Sequence, residues 1–349
     1  MRKLAPLIVV LVAGCSDPVT QSSVDRESLV LELADAVIIP SYDDLAAEAL
    51  ELERATSTLC ETRTSTALDA ARIAWKDVRR PWRIAEAYEL GPVRDLRIKN
   101  AVEFLPLRED DLLEVLNGDA PIDATYISGL GVAARGLPVL EYLLWEGDVA
   151  SELGDAEPSR RCLYIDALAV DLVTQSNRLA DAWKGEGYRT EFAAEGSMAV
   201  DDLVNSVIEV LQLLEGERLA LPLGRRDGGV PQLDAIEVRR SGAALADVRA
   251  GLEGVAAVYT GDYGSNESGG IEALVAGANP TLDQRILGQI AASRAALDRV
   301  PEPLSSAIVD SPTLVEDAFI ALRALLRLVA ADLASQLGVT TTFSDNDGD

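Results

Sequence analysis

Residues Trp75–Val93 read WKDVRRPWRIAEAYELGPV. On a helix, steps of four and three residues put Trp75, Arg79, Trp82, Glu86 and Glu89 on one stripe, so aromatic, cationic and acidic groups share a face. Gly91-Pro92 then stops the helix. Such a stripe has two readings: a bundle seam in which the tryptophans pack and Arg79 pairs with Glu86 across a turn, or one wall of a cleft where Arg79, Trp82, Arg83 and Glu86 meet a ligand.

The same periodicity extends through the chain. Leu29, Leu33, Val37, Tyr42, Leu45, Ala49, Leu52 and Leu59 recur at three- and four-residue spacing, predicting one long helix with a kink or break at Pro40. Further helices are predicted near 65–89, 109–117, 159–183, 200–221, 238–259, 282–300 and 312–337, with one or two segments between Asp123 and Trp145. Aromatic residues make up only 5% of the 349 residues, and Ala, Leu and Glu abound, so the fold class is all-α. The stretch Lys184–Ser197 loses the periodicity and is rich in Gly and charge, which places a boundary between two four-helix-bundle-like domains, 27–186 and 197–349. Gly136-x-x-x-x-Glu141 and the Ser268–Leu274 run SGGIEAL form a faint internal echo, as an ancient duplication would leave.

The chain opens with MRKLAPLIVVLVAGCSDPVT: Arg2 and Lys3, an apolar run from Leu4 to Ala13, then Gly14-Cys15. The run is too short to cross a bilayer and fits an export signal, residues 1–14. Val12-Ala13-Gly14-Cys15 looks like a lipobox, making Cys15 the lipidated mature N-terminus; ordinary cleavage nearby with a free Cys15 is the alternative. Each buried methylene of the acyl chains would add about 0.8 kcal/mol of anchorage. Ser16 directs sorting to the outer membrane, facing the periplasm, and the polar stretch 15–26 reads as a tether. Beyond Cys15 the chain holds Cys60 and Cys162, an even number in an oxidising compartment, so a disulfide is expected; two separately buried thiols are the alternative.

Loss of Arg2 and Lys3 lowers 31 basic residues to 29 against 58 acidic ones, a mature charge of −29. Nucleic acid and anionic lipid faces are poor partners for that surface, whereas cations suit it. There is no histidine, which excludes His-Glu zinc peptidases, Ser-His-Asp and Cys-His hydrolases and His-ligated haem. Lys76, Lys99 and Lys184 are the only mature lysines, a poor supply for a Ser-Lys pair. Glu141, within GLPVLEYLLWEGD (Gly136–Asp148), is flanked by Leu137, Val139, Leu140, Leu143 and Leu144 and is expected to be buried. A buried carboxylate must be hydrogen-bonded, paired or metal-bound, or else be neutralised. Arg135 or Arg83 could pair with it, or it could serve as one oxygen ligand of a hard cation such as ferric iron. Asp345, Asp347 and Asp349, with Gly348, are spaced like the opening of a calcium loop, but no bidentate glutamate follows.

Taken together, the Trp75–Val93 helix, GLPVLEYLLW, GERLALPLG (Gly216–Gly224), Arg239–Gly261 and the closing LGVTTTFSDNDGD resemble the imelysin family of exported bacterial proteins, in that family's order. The resemblance implies two helical bundles, an exported and often lipid-anchored location, and a role in iron uptake or homeostasis. The family motif GxHxxE falls on Gly136, Pro138 and Glu141, so the glycine and glutamate carry over while Pro138 stands where the histidine would be. Without that His-Glu metal pair, the reading is a lipid-anchored, non-catalytic accessory in iron acquisition. Its cleft would be formed by Glu141, Arg79, Trp82, Arg83 and Glu86, with Gly136 and Pro138 fixing the angle at which the helix starts. Iron-uptake components are its implied partners. A hydrolase using a carboxylate-held metal and a metal-free peptide- or protein-binding module are the alternatives.

Overall fold

The computed structural model describes residues 24–154, 159–184, 187–226 and 228–341. The export signal, Cys15, most of the tether and Asp345, Asp347 and Asp349 lie outside the described residues. Among the described residues the protein is all-α, without strands beyond one isolated bridge between Tyr263 and Asn266. None of the described helices is long and apolar enough to cross a membrane.

Helix α1 is continuous over residues 26–62 and changes pitch inside, running as Arg26–Leu33, a π-turn Ala34–Ile38, then Ile39–Thr62. The irregular turn comes just before Pro40, which has no N–H to donate to the preceding turn, so the break predicted at the proline becomes a widened turn upstream of it. Arg63, left-handed at φ 52°, closes the helix. Thr64 caps helix α2 (Ser65–Ala85) by accepting from the Ala67 N–H at 3.2 Å. Helix α1 packs lengthwise between α2 and α4 (Arg160–Lys184), with the short buried helix α3 (Leu137–Trp145) laid against both α2 and α4. Tyr42, Leu45, Ala49, Leu52 and Leu59 point inward from α1, each at most 1% exposed. Full burial of such a side chain stabilises by about 1.5–3 kcal/mol.

The C-terminal half packs α5 (Ser197–Gln212), α6 (Ala244–Thr260), α7 (Pro280–Asp298) and α8 (Pro312–Arg327) against one another. Helix α6 starts six residues later than its periodicity predicts, because 238–243 forms turns that carry Ser241. Two further π-turns, Leu213–Ala220 and Leu328–Leu333, extend α5 and α8. The two halves meet along α2 and α6. A methyl group on Gly254 would lie 2.1 Å from the Ile84 carbonyl oxygen, so only glycine lets the two backbones approach this closely.

Lys184–Ser197, where the sequence loses its helical period and a domain boundary was expected, contains a helix, Tyr188–Ala194. Its Phe192 and Ala193 are buried, and Trp183, Tyr188 and Phe192 stack in one aromatic cluster. Seven residues were too few to show a period, and the ordering comes from contact with Arg26–Leu33 and α4. The buried apolar side chains of both halves form one connected cluster, with Arg26–Leu33 reaching across to α5. The two echoing loops lead into unlike helices: the nine-residue α3 with buried Glu141, and the five-residue Glu272–Ala276 with half-buried Glu272.

Candidate functional site

The stripe on α2 faces the seam between the halves and is shut away from solvent: Arg79 and Arg83 are 1% exposed, Trp82 2% and Glu86 6%. These residues therefore do not line an open cleft, as the ligand-binding reading expected. Arg79 Nε donates to Asp247 Oδ1 at 3.1 Å and Nη1 to Glu103 Oε1 at 3.0 Å. Arg83 Nε donates to Asp247 Oδ2 at 3.1 Å and Nη2 to Glu103 Oε1 at 2.9 Å, while Nη1 pairs with Glu86. Arg218 grips both oxygens of Glu86 at 2.7 Å and donates from Nε to Glu237 at 3.1 Å. Trp82 Nε1 donates to Glu103 Oε2 at 3.0 Å. The pairing of Arg79 with Glu86 expected from spacing is replaced by Arg83 with Glu86, because Arg79 turns toward α6.

Three guanidiniums thus face four carboxylates. The planar five-donor forks let one arginine bridge several acids in fixed directions, which a lysine's three rotating donors would not hold. Burial by itself would push Glu86 up, but Arg218 and then Arg83 outweigh it and hold the carboxyl at about 2. Asp247, opposed by burial, is held below its ordinary value by Arg79 and Arg83, and Glu103 by Arg83 and Arg79. Arg218 reaches Glu86 from the π-turn Leu213–Ala220, a widened stretch of the α5 extension.

Glu141 behaves differently. It is 4% exposed and accepts from the Ser241 backbone N–H through Oε1 at 2.8 Å, with the Ser241 hydroxyl also acting on it. The arginine partners expected for it are engaged elsewhere: Arg135 with Asp171, with Nη2 to Oδ1 at 2.6 Å, and Arg83 within the network. Burial raises its pKa, and the Ser241 bond and the more distant Arg79 and Arg240 offset this only in part. Gly136, at φ +85°, starts α3, and a methyl there would sit 2.4 Å from the Val102 carbonyl oxygen. Pro138 follows within the first turn, where its missing N–H costs nothing. Trp75 Nε1 fastens α2 to this turn through the Leu137 carbonyl at 3.0 Å.

A metal is a poor fit to these donors. Among the described residues no group of three or more His, Cys, Asp or Glu side chains could hold one. Glu141 stands without a second carboxylate ligand, and each of the four network acids is already paired with at least one guanidinium. Beside the network, and sharing Asp247 with it, a cavity of about 310 Å³ is lined by Lys76, Arg80, Asp247, Arg249, Glu253 and Glu302. The structure also joins Cys60 to Cys162, with Cα atoms 5.5 Å apart.

Sequence reading missed Glu103, Arg218, Glu237, Ser241 and Asp247. Arg218 lies in GERLALPLG, and Ser241 and Asp247 lie in Arg239–Gly261, two of the segments carrying the family resemblance, so that signal was available for them. Glu103 and Glu237 carried none.

The profile of the imelysin family matches residues 38–336. Iron-regulated protein A of Synechococcus elongatus is 25% identical over 313 residues, 86% of this chain and 82% of that protein. Two crystal structures share the fold at 19% identity. An imelysin-like protein from Psychrobacter arcticum has a TM-score of 0.77, covering 91% of this chain and 97% of its own. An iron-regulated protein A precursor from Parabacteroides distasonis has a TM-score of 0.73, with 89% and 95% covered. With its all-α architecture and a family match over most of its length, this chain belongs to the imelysin family.

Proposed function

We propose that this protein is an exported, lipid-anchored member of the imelysin family that serves iron uptake or homeostasis by binding rather than by catalysis. The observation that carries the reading is the chemistry around Glu141: its hydrogen-bonded partner is the uncharged Ser241, Pro138 occupies the motif's histidine position, and the acids of the seam network are paired with Arg79, Arg83 and Arg218. Among the described residues no ligand set for a metal-activated water accompanies Glu141. Lipid anchoring through Cys15 and an outer-membrane position facing the periplasm rest on the lipobox-like Val12–Cys15 and Ser16. The iron link rests on the family and on the name of the Synechococcus relative. The seam cavity beside Asp247 is the binding surface that this reading favours.

The test has two arms. The purified lipoprotein, assayed on unfolded model substrates with ferrous, zinc or calcium ions, is expected to show no proteolysis. Chelator-sensitive cleavage that disappears in Glu141→Gln would defeat the non-catalytic reading. Protein abundance in the native host is expected to change when iron is withheld, and an abundance indifferent to iron would remove the iron link.

A further inference from the structure

The disulfide lies at the edge of a cavity of about 420 Å³ lined by Cys60, Cys162, Glu61, Arg63 and Asp166, apart from the seam network. Its two sulfurs are in unlike surroundings. Cys60 is half-buried and stands in the last turn of α1, whereas Cys162 is 4% exposed and is the third residue of the 25-residue α4. Cys60 is the more accessible sulfur, and the helix N-terminus at Cys162 offsets part of the cost that burial puts on its thiolate, whereas the helix C-terminus at Cys60 adds to that cost. Access and the two helix ends therefore select the same direction of attack. The cavity wall carries two acids, Glu61 and Asp166, against one base, Arg63, so its net charge is negative.

We propose that Cys60–Cys162 is an exchange-competent disulfide, attacked at the Cys60 sulfur by thiols whose remaining groups are neutral or cationic. The incoming thiolate forms a bond to Cys60 Sγ as the Sγ–Sγ bond breaks, and Cys162 departs as a thiolate that takes a proton from water. A second thiolate attacks the outer sulfur of the mixed disulfide and releases Cys60. Two thiols are then oxidised to one disulfide and the protein is reduced by two electrons. The donor can be a small thiol or a cysteine of a dithiol oxidoreductase, since the chemistry at Cys60 is the same.

The experiment uses the native, full-length mature protein with limiting cysteamine, 2-mercaptoethanol or glutathione at matched thiolate concentration. The reaction is quenched at partial conversion with iodoacetamide and mapped by peptide mass spectrometry. The small thiol is expected on Cys60 and the carbamidomethyl group on Cys162, with a preference of about tenfold. Cysteamine is expected to outpace glutathione several-fold, with the gap closing at about 1 M salt, where the Debye length is about 3 Å. Glu61→Gln with Asp166→Asn should raise the glutathione rate toward that of cysteamine. Reduction that requires denaturant, equal or reversed labelling, or two free thiols in the untreated protein would overturn the assignment. Equal rates for cysteamine and glutathione at low salt would overturn the charge selection.

Discussion

Glu86 and Glu141 are both glutamates, both all but buried, and both on the walls of the seam, yet their carboxyls shift in opposite directions. Burial pushes each one up. Glu86 meets the guanidiniums of Arg218 and Arg83, which reverse the shift, while Glu141 meets a backbone amide, whose dipole is too weak to do so. A partner's full charge, not the depth of burial, decides in which direction a buried acid's pKa moves. The comparison also separates roles: the Glu86 network binds α2 to α5 and α6, whereas Glu141 ties α3 to a single loop.

The largest effect is expected on removing a shared acid. Asp247→Ala leaves Arg79 and Arg83 buried with part of their charge unmet, and should cost about 3–5 kcal/mol in denaturant unfolding. A cost below about 1 kcal/mol would show that the network does not hold the halves together. Next comes acid. With its folded-state value at about 2 and an unfolded value near 4.5, Glu86 contributes stability that is fully present above about pH 4.5 and lost as pH falls toward 2. At about 1.4 kcal/mol per pKa unit this amounts to at most about 3.5 kcal/mol. Arg218→Leu should flatten that part of the stability profile, measured by urea unfolding between pH 2 and 6. If the slope is unchanged in Arg218→Leu, the assignment to Glu86 is wrong.

On the other side of the comparison the effects are smaller. Gly136→Ala forces a side chain into a glycine-only backbone conformation and against the Val102 carbonyl, and should destabilise by about 1–3 kcal/mol. Glu141→Gln keeps an oxygen for the Ser241 N–H and removes the titrating proton, so stability should change by less than about 1 kcal/mol. Its sign follows from linkage. The folded protein binds the Glu141 proton more tightly than the unfolded chain, so the wild type loses stability as pH rises through and above the unfolded value, and the glutamine variant should not. Calorimetric melting at pH 4 and pH 8 tests this, and a variant less stable than wild type at both would mean that Glu141 is held ionised by a partner.

Much of the fold was legible because long amphipathic helices advertise their period. The stripe on α2, the extents of α4 and α7, and the break near Pro40 all followed from local spacing. Tyr188–Ala194 was not legible, because a helix of two turns is stabilised by what it packs against. The site was half legible. Arg79, Trp82, Arg83 and Glu86 do come together, as one helical face must, but as a sealed network rather than an open wall. Whether that face is open or closed depends on Glu103, Arg218, Glu237 and Asp247, which lie between 20 and 168 residues away from the stripe residues they meet.

The sequence alone determined the all-α class, the absence of histidine chemistry, the family resemblance and the burial of Glu141, because each depends on residue type or on spacing within one helix. Only the tertiary structure decided which charge meets which. Arg83 takes Glu86, Arg79 turns to Asp247, Arg135 goes to Asp171, and Glu141 receives an amide. Those choices are made by where α2, α3 and α6 approach one another, and a one-dimensional pattern holds no record of the distances between helices.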